Sequence, residues 1–483
     1  MNEPNRQSAS VAVLGGGITG LAAAWHLHRH APSLNIDVLE AGTRWGGVIR
    51  SEWVDGFLLE HSADMFSTLE PWGLELCRQL KIDEELVSTD ERFRRAFVVR
   101  RGRLLRVPEG FALLEPRRLW PVLISGILSP WGKLRLLLEP FVPPRRSDED
   151  ESLADFTIRR FGREVFERLV QPLVGGIYTA DPRLLSMQAT LPRFVEWERR
   201  YGSLIRAARL ARTRRNSDDK DPGSSGARYG LFVAPRRGMQ TLVDALVGQL
   251  PPECLHLGRS VQEVMRYGNR WRVRWTAASG QPEQTDYDAL IMALPAASAA
   301  ACLERMDGEL AAWLRSIPVA SVAIACLAVA RRDLTHPLDG FGYVVPLTEG
   351  RPSLAGSFSS VKFPGRAPEG YVLLRIFFGG ACQPELLERS DTELLQLARQ
   401  ELRELLGFHG NVHWERIVRW PMTMPQYHVS HLRRVAAIEE RSASWPGLAL
   451  AGNSYHGVGV PFCVHSGQRA AERVLQYLDA RKD

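Results

Sequence analysis

Residues 11–48 read VAVLGGGITGLAAAWHLHRHAPSLNIDVLEAGTRWGGV, and this stretch decides the fold. The apolar run Val11 to Leu14 reads as a buried parallel strand, and Leu21 to His30 has the alanine-rich, one-sided apolar pattern of a helix. Between them Gly15, Gly17 and Gly20 stand in G-x-G-x-x-G spacing, with Gly16, Ile18 and Thr19 completing the turn. Strand, glycine turn and helix in that order are the context in which the motif signifies dinucleotide binding. Gly15 permits the tight turn, Gly17 lets backbone approach a pyrophosphate, and Gly20 lets the helix pack closely on the strand. The helix amino end then faces the anion. A second strand, Ile36 to Leu39, delivers Glu40, whose carboxylate accepts hydrogen bonds from both ribose hydroxyls of an adenosine and repels a 2'-phosphate. Arg44, Gly46 and Gly47 extend the pattern. A further close-approach glycine pair with a guanidinium suits a longer cofactor, FAD, whose pyrophosphate needs more neutralisation.

At 483 residues the chain is long enough for two or three domains. Its 45% hydrophobic and 24% charged residues are ordinary for a globular protein. A net charge of +6 suits an anionic small molecule or an anionic membrane surface. The arginines are scattered, and no zinc-finger or RNA-binding aromatic motif is present, so no nucleic-acid partner is expected. Cys77, Cys254, Cys302, Cys326, Cys382 and Cys463 lie far apart, which argues against a disulfide framework, a zinc site or an iron–sulfur cluster. His428 and His431 are three apart with no third ligand in reach, so the expected metal complement is none. The polar start MNEPNRQSAS predicts no secretory signal, and no run reaches transmembrane length, which together predict a cytoplasmic protein.

The fold class expected is α/β, or α+β overall: a Rossmann-like FAD-binding domain, a mixed-sheet substrate domain and a helical insertion. The cofactor domain is assembled discontinuously from residues 1–90, 225–297 and 440–483. Within it Gly238 to Leu250 reads as a helix, Val261 to Trp275 as a strand pair turning at Tyr267 to Arg270, and Asp288 to Leu294 as a buried strand. Residues 91–205 form the helical insertion, and 206–224 a mobile loop, since Arg212 to Arg228 is poor in apolar residues and rich in turn formers. Residues 298–439 hold strand-like runs at Val319 to Ala330, Phe341 to Val345, Ser353 to Phe358 and Tyr371 to Phe378, then a helix from Thr392 to Leu406. The tail repeats the opening logic: strand Leu448 to Ala451, a loop through Gly452, Gly457 and Gly459, Pro461, and a helix through Arg469 to Leu478. Such a helix aims its positive end at the negative pyrimidine edge of a reduced flavin. Two readings fit Phe111 to Phe141, where tryptophans and leucines alternate with prolines and with Arg117, Arg118, Lys133, Arg135, Arg145 and Arg146. One is a segment lying on a bilayer; the other is an internal helical pair lining an apolar pocket.

The opening segment resembles the flavin-dependent amine oxidase and desaturase superfamily. QPLVGGIYTADPRLLSMQATLPRF from Gln171, SFSSVKFPGRAPEGYVLLRIFFGGA from Ser357, MPQYHVSH from Met424 and AGNSYHGVGVPFCVHSG from Ala451 narrow the resemblance to the oxygen-dependent protoporphyrinogen and coproporphyrinogen III oxidases. It spans nearly the whole chain. The resemblance implies that Gly15 to Gly20, Glu40, Arg44, Gly46, Gly47 and Val48 hold the adenosine and pyrophosphate, that Val261 cradles the adenine, and that Asn453, Val458, Gly459 and Val460 lie along the flavin. It places Arg95 near a position where relatives set an arginine against a substrate propionate, and Asp64 where coproporphyrinogen-type members tend to carry aspartate. EHSADMF, from Glu60, has Ser62 and Ala63 where the family usually writes Gly-Pro, and Phe462 stands where it often has aspartate.

The implied reaction is the six-electron aromatisation of a porphyrinogen in heme biosynthesis, with dioxygen consumed and hydrogen peroxide released. No side chain accepts hydride, so the flavin does the redox chemistry and no catalytic side chain is expected. His61, His456 and His465 fall near the flavin, with noncovalent cofactor binding the default. The partners implied are the porphyrinogen and dioxygen, a second copy in a homodimer, peripheral contact with the inner face of a membrane, and a ferrochelatase receiving the product. An amine oxidase or desaturase of the same superfamily, or a porphyrin- and flavin-binding protein without turnover, are the alternatives the sequence leaves open.

Overall fold

Valine, isoleucine, leucine and alanine dominate Ser10–Leu14, Asn35–Glu40, Ala289–Met292 and Leu448–Leu450, the composition of strands covered on both faces. In the computed structural model, which describes residues 9–214 and 231–481, these strands pair in parallel. With Leu255–Leu257 at one edge, the order across the sheet is 255–257, 35–40, 10–14, 289–292, 448–450. The chain leaves Ser10–Leu14 toward one side and later returns on the other. That creates a switch point at the carboxyl end of Ser10–Leu14, where open α/β sheets bind ligands.

Helices Ile18–His30 and Val460–Asp479 pack on each other against this sheet. A Cβ at Gly467 would collide with the Thr19 carbonyl, so this crossing requires glycine. Val11, Val13, Leu21, Leu27, Ile291 and Val474 are fully buried between the layers, each stabilising the fold by about 1.5–3 kcal/mol. Ser260–Tyr267, Arg270–Thr276 and Pro282–Tyr287 form an antiparallel meander that turns at Tyr267 to Arg270 as its sequence predicts.

The second body is a seven-stranded mixed sheet in the order 412–425, 319–330, 371–379, 353–358, 342–344, 97–100, 103–106. Asp391–Leu406 covers one face, its start fixed by a capping box between Ser390 and Glu393. Strand Val319–Ala330 pairs Val322 with Gly379 and Trp420, and Ile324 with Phe377 and Val418. Those residues therefore share the opposite face, which looks toward Leu59 and residues 60–64.

Three expectations are corrected. The insertion at 91–205 opens with a hairpin, Phe97–Arg100 and Arg103–Arg106, that belongs to the seven-stranded sheet. Its two alternating runs are too short to show a strand period next to so many arginines. Helices follow: Leu153–Phe161, Gln171–Tyr178 after a π turn at Phe166–Val170, and Pro192–Tyr201. The loop expected at 206–224 is helical through Arg214, as part of Leu204–Arg214. Leu204, Ile205, Ala207 and Ala208 bury one face there, and the arginines that made the stretch look loop-like are good helix formers. The rest of that loop, from 215, lies outside the described residues. Finally, the segment 111–141 is not wholly internal: Phe111, Val122, Ile127, Leu128 and Leu136 are buried, whereas Trp120, Ile124, Trp131 and Phe141 point outward.

Candidate cofactor and substrate site

Gly15 adopts φ +105, and a Cβ there would stand 2.5 Å from the Ala293 carbonyl, so only glycine makes this turn. At Gly20 a Cβ would collide with the Gly15 carbonyl. Gly17 differs: no atom lies within 4 Å of where its Cβ would be. It caps the helix Ile18–His30 with no side-chain hydrogen bond, so no side chain occupies the amino end of this helix from the cap position. A dinucleotide pyrophosphate fits this cradle.

Glu40 ends its strand with one carboxylate oxygen accepting from the Gly16 amide and the other from the Gly42 amide, both at 2.7 Å. Val261 sits at a bulge beside it, since Gly258 and Arg259 donate to the Gly42 and Glu40 carbonyls. The second glycine patch closes on the first. The Gly46 amide donates to the Gly16 carbonyl at 2.8 Å, Gly17 and Gly46 form a bridge, and the Gly47 Cβ position lies 3.3 Å from Gly17 Cα. Arg44 is spent on structure here, donating to the carbonyls of Trp45, Gly47 and Ile49. It organises the loop that delivers Gly46, Gly47 and the exposed Val48.

A second helix amino end converges on the same region. Gly459 caps Val460–Asp479 with no side-chain hydrogen bond, and Pro461 occupies the first turn. The helix starts with Pro461 in its first turn and runs on through Arg469 to Leu478, as the sequence predicts. Asn453 and Gly457 are tied to Tyr427, whose hydroxyl donates to the Asn453 carbonyl at 2.6 Å and accepts from the Gly457 amide at 2.7 Å. Tyr427 in turn stacks on His431 with ring centroids 3.9 Å apart. His431 Nε2 donates to the Tyr455 carbonyl, and burial lowers the imidazole pKa to about 4. Of the other histidines, His456 pairs with Glu439, His465 stacks on Trp72, and His61 lies 3.2 Å from Glu52. Phe462 packs edge-on against Trp72.

Asp64 is buried in a cluster the sequence did not announce. Its carboxylate lies 2.7 Å from Arg375, 2.9 Å from Lys362 and 4.0 Å from Arg366, with Glu60 completing the group. Burial alone would raise the Asp64 pKa, but Arg375, Lys362 and Arg366 outweigh it and hold the carboxyl well below the usual range. Burial lowers the Lys362 pKa, with Asp64 opposing that shift. Arg375 also donates to the Ser62 and Glu60 carbonyls, Arg366 donates to the Asp64 carbonyl, and Ser62 Oγ donates to the Val48 carbonyl. The cluster thus clamps residues 60–64 against the loop carrying Gly47 and Val48. Arg95 is held elsewhere, on Asp339 at 3.5 Å and on the Arg92 carbonyl, at the start of the 97–100 strand.

A cleft of about 620 Å³ opens at the end of the seven-stranded sheet, between Val319–Val322, Gly380, Trp420–Met422 and the insertion residues Asp181 and Leu184. That volume is typical of small-molecule sites. Gln426 and His428 line it, on either side of Tyr427. The Gln426 amide nitrogen faces the Met424 and Tyr178 carbonyls, which fixes the amide orientation and leaves Oε1 with no donor although the side chain is buried. His428 Nε2 is likewise buried without a partner. The MPQYHVSH motif was the sequence signal for these residues, but nothing in its spacing distinguishes the cleft-facing Gln426 from the loop-facing Tyr427.

The glycine turn, the acid at the second strand end and two uncapped helix amino ends define a dinucleotide-binding α/β flavoprotein. The chain belongs to the flavin-containing amine oxidoreductase family, whose model matches residues 18–475, and within it to the coproporphyrinogen and protoporphyrinogen oxidases. It is 29% identical over 473 residues to coproporphyrinogen III oxidase of Bacillus subtilis (strain 168), covering 97% of this chain and 98% of that protein. It is 30% identical over 492 residues to mitochondrial protoporphyrinogen oxidase of Nicotiana tabacum, covering 97% and 95% respectively. The crystal structure of a provisionally assigned protoporphyrinogen oxidase from Exiguobacterium sp. 255-15 superimposes with a TM-score of 0.85 at 28% identity, covering 98% of this chain and 99% of that one. The protein is an oxidoreductase, and its cofactor is FAD.

Proposed function

We propose that the protein oxidises a porphyrinogen to the porphyrin, with coproporphyrinogen III as substrate, using dioxygen and releasing hydrogen peroxide. The observation that carries this reading is the full-length similarity to a coproporphyrinogen III oxidase in a chain where Gln426 and His428 line a cleft of about 620 Å³ while Tyr427 between them is hydrogen-bonded to Asn453 and Gly457. Bound FAD supplies a hydride acceptor that dioxygen can reoxidise, which no side chain provides. The chain's own residues bind and orient. Gly15, Gly16, Gly17, Ile18, Thr19 and Gly20 with Gly46 and Gly47 receive the pyrophosphate, Glu40 the ribose and Val261 the adenine. Asn453 and Val458 to Val460 line the flavin, where the positive helix end favours negative charge.

Gln426 Oε1 and His428 Nε2, buried in the cleft wall without donors, are acceptors suited to pyrrole N–H groups once a bound ring displaces the wall, since a porphyrinogen ring offers donors and no acceptors. Arg95 stays on Asp339 and the Arg92 carbonyl, outside the residues that line the cleft, and Asp64 acts from behind by ordering residues 60–64. Pyrrole protons reach solvent by tautomerisation, so no general base is required. Coproporphyrinogen carries four propionates to protoporphyrinogen's two, and the chain's net positive charge favours the more anionic ring. A cytoplasmic homodimer that hands its product to a ferrochelatase completes the reading. Turnover of both porphyrinogens on one FAD-loaded preparation tests it: kcat/KM should be higher for coproporphyrinogen III, and preference for protoporphyrinogen IX would reassign the substrate.

A further inference from the structure

We propose that Met422 is a specificity-determining residue, aimed by a bulge in the seven-stranded sheet so that its thioether packs on a pyrrole face of the macrocycle; this deepens the porphyrinogen reading and rests on it. Strands Val319–Ala330 and Val412–Pro425 lose their register where they reach the cleft. Ala320 pairs with Met424 and Val322 with Trp420, so Ser321 alone stands opposite Pro421, Met422 and Thr423. Bulges re-aim side chains and are frequent beside active sites. Met422 has φ +51, a left-handed conformation that a bulky L side chain adopts only at a cost. The bulge holds it there. Ser321 Oγ accepts from the Met422 amide at 2.8 Å, and the Ser321 carbonyl accepts from the Gly380 amide at 2.9 Å. On the other side Trp420 is pinned, its indole N–H donating to the His61 carbonyl at 2.7 Å. The result is a large apolar side chain, 58% exposed, on the lining of the cleft and not in the core. Strain of this kind gives the fold nothing when the side chain it presents is exposed, and such outliers cluster at ligand contacts.

The surroundings select what Met422 touches. Val319, Val322, Pro384 and Leu387 line the same cleft. Its acid and its arginine are already engaged: Asp181 pairs with Arg183, and Arg419 pairs with Asp391 and donates to the carbonyls of Leu387 and Arg389. The cleft therefore selects by shape and apolar contact, and leaves the carboxylates of a substrate toward solvent. A porphyrinogen supplies the matching surface. Its four pyrroles are electron-rich rings, and the tetrahedral carbons between them pucker the macrocycle. Thioether sulfur packs favourably on aromatic rings, and an unbranched methionine adapts to an uneven surface. Ser321 acts through Met422, as the positioning residue that fixes the bulge.

The test is steady-state kinetics of the FAD-loaded wild type, M422G, M422A, M422L and S321A with coproporphyrinogen III, beside thermal melts and a titration with coproporphyrin III read by quenching of tryptophan emission. M422G and M422A should raise KM, and the coproporphyrin Kd with it, about five-fold while kcat stays within about two-fold. M422L, which keeps the apolar volume, should recover most of that affinity. S321A, which frees the bulge but keeps the methionine, should raise KM about three-fold. M422G should melt no lower than the wild type, because glycine relieves the positive φ, whereas a side chain serving only the fold would leave KM unmoved and lower the melting temperature when removed. KM and Kd unchanged in both M422G and M422A, in a preparation whose wild type turns over coproporphyrinogen III, overturn this inference and leave the proposed function standing. So does a change of oligomeric state in those variants with KM unmoved. A wild type that oxidises no porphyrinogen overturns the functional reading and this inference together.

Discussion

Asp64→Asn removes the carboxylate that sits 2.7 Å from Arg375 and 2.9 Å from Lys362, and keeps its shape. All three side chains are buried, so the cations cannot turn to water, and Glu60 becomes the one acid left to three bases in the cluster. Removing one partner of a buried pair costs about 3–5 kcal/mol, a large part of the roughly 5–15 kcal/mol that holds a folded protein together. Asp64→Asn/Lys362→Met removes the stranded ammonium as well and should recover about half of the loss, since an apolar replacement of a buried pair is often close to neutral. The single variant should also gain a pH dependence. Without Asp64 the Lys362 pKa falls further below its ordinary value, so between the folded and unfolded pKa the unfolded chain binds a proton that the folded one lacks, and stability rises with pH there. Because residues 60–64 press on Val48, the single variant should release FAD earlier in a urea titration than the wild type. Urea unfolding followed by circular dichroism and by flavin fluorescence checks each step. A loss below about 1 kcal/mol in Asp64→Asn, the range of an exposed ion pair, or a double variant no more stable than the single one, would refute the reasoning.

The two glycines of the turn should separate fold from cofactor. Gly17→Ala meets no protein atom and should fold normally while FAD affinity drops about ten-fold or more; Gly15→Ala meets the Ala293 carbonyl at positive φ and should lose about 2–4 kcal/mol of stability. Calorimetry of FAD binding to Glu40→Gln should show an affinity about ten- to a hundred-fold lower, the worth of a hydrogen bond to a charged group. Gln426→Met removes the free acceptor at constant volume, and steady-state kinetics should show KM for the porphyrinogen up about ten-fold with kcat within about two-fold. His431, held near pKa 4 against an ordinary 6.5, gives stability that is complete above pH 6.5 and drains as the pH falls toward 4. FAD release on acidification should therefore begin in that window and be blunted in His431→Gln.

The cofactor half was legible because its chemistry is local. Gly15, Gly17, Gly20 and Glu40 lie within one strand–helix–strand unit, and the tight turn at Gly15 and the close packing at Gly20 follow from their spacing. The strand Leu448–Leu450 and the loop through Gly459 were legible for the same reason. What sequence could not show is what tertiary pairing alone creates. Asp64 and Lys362 are 298 residues apart, and neither carries a local mark of being buried together. Arg44 had the right position beside the glycines, yet its guanidinium serves the carbonyls of its own loop. Phe97–Arg106 was hidden because a four-residue hairpin strand rich in arginine has no visible period, and the outward turn of Trp131 and Phe141 depends on which side of two short helices the core occupies.

The most direct measurement mixes anaerobic, FAD-loaded protein with coproporphyrinogen III and follows the flavin and porphyrin absorption bands together, then admits dioxygen. The account predicts that the flavin band bleaches on mixing, returns with dioxygen, and yields one porphyrin and three hydrogen peroxide per macrocycle consumed. A flavin that stays oxidised with either porphyrinogen, or bleaches only with amines, would contradict it.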